Sequence, residues 1–259
     1  HTYTEGAATY HALLFIPAKA PYNYYTRDYE KGLKLYASGV LIMDSCKDLL
    51  PDHFSFVKGL VDSEDLSLNI SRETLQENIV LRKISQTISK QILSHLEKMA
   101  KDDAEKYNSF WKLHGKVFKL GYSDFVNRDR ITPLLRFNSS AMEDADGLTS
   151  LDDYISRARE SQKEIWYVAA PSCEAAKVNP HSEVFRRKGL EVLYLYEPVD
   201  ESRWETLAKI QGLHLQGRGA RRQRRARLLR GHRRTAQAAP LSNEDMNEFD
   251  KLLETIRKV

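Results

Sequence analysis

Ile165-Trp166-Tyr167-Val168-Ala169 is a β-branched and aromatic run; the helical stretch Ser172 to Lys188 follows, Gly189 stops it, and a second apolar run covers Leu190 to Tyr196. Strand, helix and strand in about thirty residues make a βαβ unit, because a crossover of that length joins parallel strands. A parallel pair served by a crossover helix places the chain in the α/β class.

Toward the N-terminus, Ser150-Leu151-Asp152-Asp153 fits a capping box with Asp in the reaching-back position and opens a helix through Arg159. Asn138 to Gly147 is polar and acidic and reads as a boundary between two subdomains. Phe125 to Phe137 is a short helical stretch that Pro133 should kink or split. Before it, Val80, Ile84, Ile88, Ile92 and Leu96 recur every four residues, and Leu75, Leu81, Leu93 and Met99 widen the stripe. That spacing predicts one long amphipathic helix over Thr74 to Ala100. Asp102 and Asp103 offer an N-cap for a second helix carrying Tyr107, Phe110, Trp111, Leu113, Val117 and Phe118 and ended by Gly121. Tyr10 to Pro17, Leu33 to Met43 and Phe54 to Val61 read as strands, and Leu66 to Ile70 as a short extended piece. Between the first two, Pro21 to Asp28 is a loop rich in tyrosine.

The expected architecture is therefore α/β, with a larger layered α-β-α subdomain over residues 1–120, a helical connector over 121–160 and a small βαβ subdomain over 161–201. An aberrant arginine-rich tract follows over 202–240, and 241–259 holds a final amphipathic helix with Phe249, Leu252, Leu253 and Ile256.

Charge is uneven. Positions 206–243 hold Lys209 and nine arginines with no acidic residue, whereas outside them 30 basic residues face 36 acidic ones. The basic pI belongs to this tract, which has too much like charge and too little apolar surface to fold, and disorder is expected there. Arg, Ala and Gly are what GC-rich codons yield out of frame, so two compensating frame changes are one account of the tract and a functional basic arm is the other. The longest apolar run, Ala12 to Ala18, contains Pro17 and falls far short of the ~20 residues of a membrane-spanning helix. The first residues lack the pattern of a signal peptide, and without an initial Met the chain is expected to be a piece of a longer protein. Cys46 and Cys173 have no partner at metal spacing and read as reduced thiols of a cytoplasmic protein.

Several chemistries are excluded. Gly212 and Gly217 have P-loop spacing, but Arg218-Gly219 stands where Lys-Ser/Thr is needed. Gly121 to Phe125 lacks the second glycine of a nucleophile elbow. None of the eight histidines forms an HExxH pair; all read as surface or capping residues, and no metal site is expected. The tract from Val57 to Gln76 is different, since an extended segment meets the start of the long helix and puts Arg72 and Gln76 one turn apart. A cation and an amide at a helix N-terminus can meet a phosphate. Spacing alone favours a capped helix whose Arg72 pairs with Glu73 or Asp65.

Phe54 to Gln76, with Gly32-Leu33-Lys34-Leu35-Tyr36, Leu41-Ile42-Met43-Asp44 and Leu148 to Tyr154, closely resembles the middle domain of the heat-shock protein 90 chaperones. Ala100 to Tyr107 is similar to the bacterial form, the likeness covers about residues 8–200, and 241–259 is more weakly similar to the helix leading into the family's dimerisation domain. The resemblance implies an ATP-dependent chaperone whose missing N-terminal domain holds ATP and Mg, and whose missing C-terminal domain makes a homodimer. It makes Arg72 the residue that reaches the γ-phosphate, with Asn69 and Gln76 beside it, and this chain alone inactive toward ATP. It also implies client binding on amphipathic surface. Tyr22, Tyr24, Tyr25 and Tyr29 are the candidates, either as faces held out to unfolded proteins or as rings packed over the sheet. The rival from another class is a nucleic-acid-binding protein using the arginines of residues 217–234, a tract with no aromatic interleaving.

Overall fold

A computed structural model describes residues 2–5, 8–20, 23–26, 29–67, 78–142, 147–160, 162, 164–203, 209–210 and 213–218. It bears out the α/β class. Two mixed five-stranded sheets lie within residues 1–220.

The first sheet contains β1 (Thr2–Thr4), β2 (Tyr10–Phe15), β3 (Leu33–Ala37), β4 (Val40–Cys46) and β5 (Lys58–Ser63), in the order β1-β2-β5-β3-β4. Only the β3–β5 pair is parallel, with Lys34 opposite Leu60 and Ala37 opposite Ser63. Alternation sorts the residues, with Tyr10, Ala12, Leu33, Leu35, Ala37 and Val61 buried and His11, Leu13, Phe15 and Lys34 exposed. Gly59 sits at φ +140 where β5 crosses β2, and a Cβ there would lie 1.9 Å from the Leu13 carbonyl oxygen. Only glycine allows that approach.

The run expected to be one strand from Leu33 to Met43 is a hairpin. Ser38 and Gly39 both have positive φ, +48 and +78, the pattern of a type I′ turn that matches the twist of paired strands. Asp62 of the neighbouring β5 accepts from the Gly39 N–H with both carboxylate oxygens at 3.1 Å. The Phe54–Val61 run likewise divides, into a 3-10 turn at Asp52–Phe54 and then β5. Phe54 and Phe56 turn inward to join Phe110 and Phe118 in an edge-to-face cluster.

Helices α1 (Ile79–Asp102) and α2 (Ala104–Phe118) pack their apolar stripes into the same core. The helix expected from Thr74 has its cap at Asn78, whose side chain accepts from the N–H groups of Val80 and Leu81 at 2.8 and 3.1 Å. Asp103 caps α2 as expected, accepting from Lys106 N–H. The Pro133 region is the short α3 (Arg128–Ile131) followed by a 3-10 turn at Thr132–Leu134. Arg130 ties it to α1 through a forked pair with Glu97 at 2.7 and 2.8 Å.

The second sheet contains β6 (Asn138–Ser139), β7 (Glu164–Ala169), β8 (Leu193–Leu195), β9 (Lys209–Ile210) and β10 (Leu213–Arg218), in the order β6-β8-β7-β10-β9. β7 and β8 are parallel, as the βαβ reading requires. Their crossover is two helices where one was expected, α5 (Cys173–Lys177) and α6 (Pro180–Arg187), with α4 (Leu151–Arg157) preceding β7. Pro180 has no N–H to continue the first and starts the second. Gly189, at φ +63, ends α6 in a Schellman arrangement, with Leu190 N–H donating to Phe185 O at 2.9 Å. The tract expected to be disordered from position 202 departs from that reading in part, because β10 pairs in parallel with β7 from His214–Glu164 to Arg218–Val168. Positions 219–259 lie outside the described residues.

One buried network joins the end of α2 to the chain after β8. The Lys119 ammonium donates to Asp200 Oδ2 at 2.7 Å and Tyr122 OH donates to Oδ1 at 2.9 Å, with Lys119 and Asp200 side chains 7% and 1% exposed. Asp200 belongs to α7 (Pro198–Arg203). The rings of Phe137 and Tyr196 lie 5.3 and 5.9 Å from the same ammonium.

Two histidines read as surface residues are core residues instead. His53 stacks on Phe54 at 4.2 Å, 5% exposed, and His114 is 1% exposed. Burial pulls the His53 pKa down to about 4, against the opposing pull of the Asp124 carboxylate 3.4 Å from Nε2. The facing oxygen, Asp124 Oδ2, already accepts from Asn127 Nδ2 at 2.8 Å, which lessens what it offers the ring.

Two outcomes follow from these groups. Asp200→Ala strands a buried ammonium and should lower stability by about 3–5 kcal/mol, measured by urea unfolding, whereas the paired change Lys119→Met with Asp200→Leu should recover much of it. His53 is neutral when folded and protonates near pH 6.5 when unfolded, so its contribution is complete above that pH and lost as pH falls toward 4. The loss is about 3 kcal/mol, and His53→Asn should flatten the stability profile between pH 4 and 6.5.

Candidate functional site

The segment expected to carry the chemistry runs between two anchored ends. At one end Ser63 closes β5, its hydroxyl donating to Thr9 O at 2.7 Å, while Asp65 Oδ2 accepts from Thr9 N–H at 2.7 Å. Leu66 follows, 4% exposed. At the other end is Asn78, the cap of α1. Asn69, Arg72 and Gln76 fall between, outside the described residues. Asn78 is extended, at φ −71 and ψ 118, so the helix expected from Thr74 is described from Ile79, and the spacing expected of Arg72 and Gln76 falls on residues outside the description. What the described residues provide is a mount, with both neighbours of the segment fixed to the first sheet and its helix.

The tyrosine loop divides by burial. Tyr22 lies outside the described residues. Tyr24 is 4% exposed and lies within ring contact of Tyr25, Tyr29 and His114, at 4.8, 5.0 and 5.5 Å. His114 explains its position. The Pro17 carbonyl, 3.2 Å from Nε2, can only accept, so Nε2 carries the proton and Nδ1 accepts from Tyr24 OH at 3.1 Å. Burial lowers the His114 pKa and favours this neutral form. Tyr24 is thus a core ring rather than a face held out to partners. Tyr29 is half-buried, donates to Ser55 O at 3.1 Å and lies under the Lys58 ammonium at 4.4 Å. Tyr25 alone of the described three is open, 58% exposed, with its hydroxyl on Leu113 O at 3.2 Å and Lys116 at 5.2 Å from the ring.

Sequence reasoning missed His114. Its signal was available, since it lies four residues after Phe110 and four before Phe118 on the buried stripe of α2. Among the described residues there is no group of three or more His, Cys, Asp or Glu that could hold a metal ion, and no helix is long and apolar enough to cross a membrane.

Comparison with known proteins completes this description. The chain is 59% identical over 207 residues to the Chaperone protein HtpG of Nitratidesulfovibrio vulgaris, a match covering 80% of this chain and 32% of that one. It is 50% identical over 202 residues to the protein of the same name from Shewanella amazonensis, covering 78% and 32%. With that of Bacillus subtilis it shares 49% over 213 residues, covering 82% and 34%. The chain thus spans about a third of the length of the curated relatives it matches. A family model described as Hsp90 protein matches residues 1–258, and with these identities over most of its length the chain belongs to the Hsp90 family.

Proposed function

We propose that the chain is the middle segment of an ATP-dependent chaperone, which holds partly folded client proteins and supplies Arg72 to ATP bound by a separate N-terminal domain. The observation that carries this is the extended identity to chaperones named HtpG across 80% of the chain. In this reading the Arg72 guanidinium meets the γ-phosphate of the nucleotide, with Asn69 and Gln76 beside it. A cation brought in from a second domain stabilises charge on the transferred phosphoryl group and rewards closure of one domain on the other. The anchored ends at Ser63 and Asn78 suit that task, because a loop on a rigid mount loses little geometry when domains meet. ATP and its Mg would be held mainly by the N-terminal domain, the homodimer would form through a C-terminal domain, and the cytoplasm would be the site of action.

Client binding would use exposed apolar and aromatic surface. Tyr25 joins Leu13 and Phe15 of β2 as large side chains about half exposed, at 58%, 47% and 55%. An aromatic face already held by Leu113 loses little side-chain entropy on binding. The nucleic-acid reading has nothing in its favour among the described residues, and part of its basic tract, up to Arg218, lies in β10.

Two measurements test the reading. Fused to the ATP-binding domain of an HtpG relative, the chain should raise ATP turnover, and Arg72→Ala should lower it by about 10²-fold or more; near-normal turnover in a folded variant would overturn the assignment. Tyr25→Ser should weaken binding of a partly unfolded model client with the melting temperature nearly unchanged. Tyr24→Ser should instead destabilise the chain by about 2–4 kcal/mol, since it empties a ring site and strands His114 Nδ1.

A further inference from the structure

A cleft of about 690 Å³ opens beside α2, walled on the far side by residues around β8 and the start of α5. This is the size of a small-molecule site. Lys112, Lys116 and Lys119 enter it at i, i+4 and i+7 from α2 and the turn after it, and Arg136 enters from the connector.

The four cations are not equally available. Lys119 is neutralised by Asp200, and Lys116 lies 3.6 Å from Glu197. Glu174, the other carboxylate on the cleft, is exposed, where water screens it. Arg136 differs from all of these. Its guanidinium is partly desolvated, stacks 4.6 Å from the Tyr107 ring, and donates from Nη1 to the carbonyls of Pro133 and Leu135 at 3.0 Å each. Asp152 and Asp153 act on it electrostatically, but among the described residues no carboxylate lies within ion-pair distance, and the hydrogen bonds described for it use Nη1. A partly desolvated cation gains from an anion that meets its remaining N–H groups, and the guanidinium fork matches the two oxygens of a carboxylate or phosphate. Four aromatic rings, Tyr25, Trp111, Phe137 and Tyr196, line the same space.

We propose that this cleft binds a small molecule carrying an oxyanion, phosphate or carboxylate, on an aromatic ring, with the Arg136 guanidinium taking the oxyanion and the aromatic wall taking the ring. This is independent of the proposed γ-phosphate contact, because the residues it uses belong to α2, the connector and the β8 region. The chain supplies its own reporter. Cys173 lines the cleft and is partly exposed, whereas Cys46, the other cysteine, is fully buried. Alkylation of Cys173 by neutral iodoacetamide, followed by mass spectrometry, therefore reads occupancy.

The probes are 1-naphthyl phosphate, 1-naphthoate, 1-naphthol and inorganic phosphate, each titrated against the full chain. Saturable slowing of Cys173 alkylation by a naphthyl anion, with naphthol and inorganic phosphate much weaker, is the expected result. The phosphate-to-carboxylate ratio then says which oxyanion the fork prefers. Arg136→Gln should weaken protection at least about tenfold, and Arg136→Lys, which keeps the charge but loses the fork, should fall between. Lys112→Gln lies outside the Tyr107 stack and should weaken protection modestly in a chain with unchanged melting temperature. No protection at millimolar probe would overturn the proposal, and so would equal protection by naphthol or protection that survives in folded Arg136→Gln.

Discussion

The Lys119–Asp200 pair is the constraint on which the arrangement of the described residues turns. Two full charges lie almost without water, and such a pair contributes little net stability because desolvation offsets most of the attraction. Its weight appears in what surrounds it. Tyr122 OH and Glu197 N–H complete the carboxylate, and the Phe137 and Tyr196 rings flank the ammonium. These residues come from the turn after α2, the connector and the end of the β8 region. Any other docking of those pieces would leave a buried charge unpaired, which is far more costly than the pair is favourable.

The second sheet shows the same logic at its edge. Arg157 donates to both oxygens of Glu191 at 3.0 and 2.8 Å, and Ser139 OH donates to the same carboxylate at 2.6 Å. Tyr154 OH donates to Glu191 O and accepts from Trp166 N–H and Gln162 Nε2, each at 3.0 Å. Helix α4 is therefore fastened to both β7 and the approach to β8 by polar groups, while Leu151, Tyr154 and Ile155 pack into the core. The expected capping box at Ser150 is present in altered form: Asp153 accepts from the Ser150 hydroxyl at 2.7 Å, and Ser150 Oγ accepts from Asp153 N–H at 3.0 Å.

The two sheets carry different features. The first sheet and its helices hold the segment with Arg72 at both ends and bury Tyr24 and His114 so that Tyr25 stands on a fixed base. The cationic, aromatic cleft lies between α2 and the residues around β8. A rigid scaffold with its chemistry on connections is the ordinary economy of α/β proteins.

Local pattern in the sequence determined the α/β class, the stripes of α1 and α2, the caps at Asp103 and Ser150, the stop at Gly189 and the family resemblance. Each rests on residues within a few turns of one another, where periodicity and capping chemistry act directly. Some features were legible in principle and hidden by a competing pattern. The Ser38-Gly39 turn sat inside an apolar run that reads as one strand, and Pro180 sat inside a run that reads as one helix. Only the tertiary structure decided that Tyr24 is core while Tyr25 is open, that His53 and His114 are buried and neutral, and that Lys119 meets Asp200. Adjacent tyrosines have the same local physics, and their fates differ because His114, 90 positions away, supplies an acceptor to one of them. A buried polar group is settled by partners distant in sequence, and those partners exist only once the chain has folded.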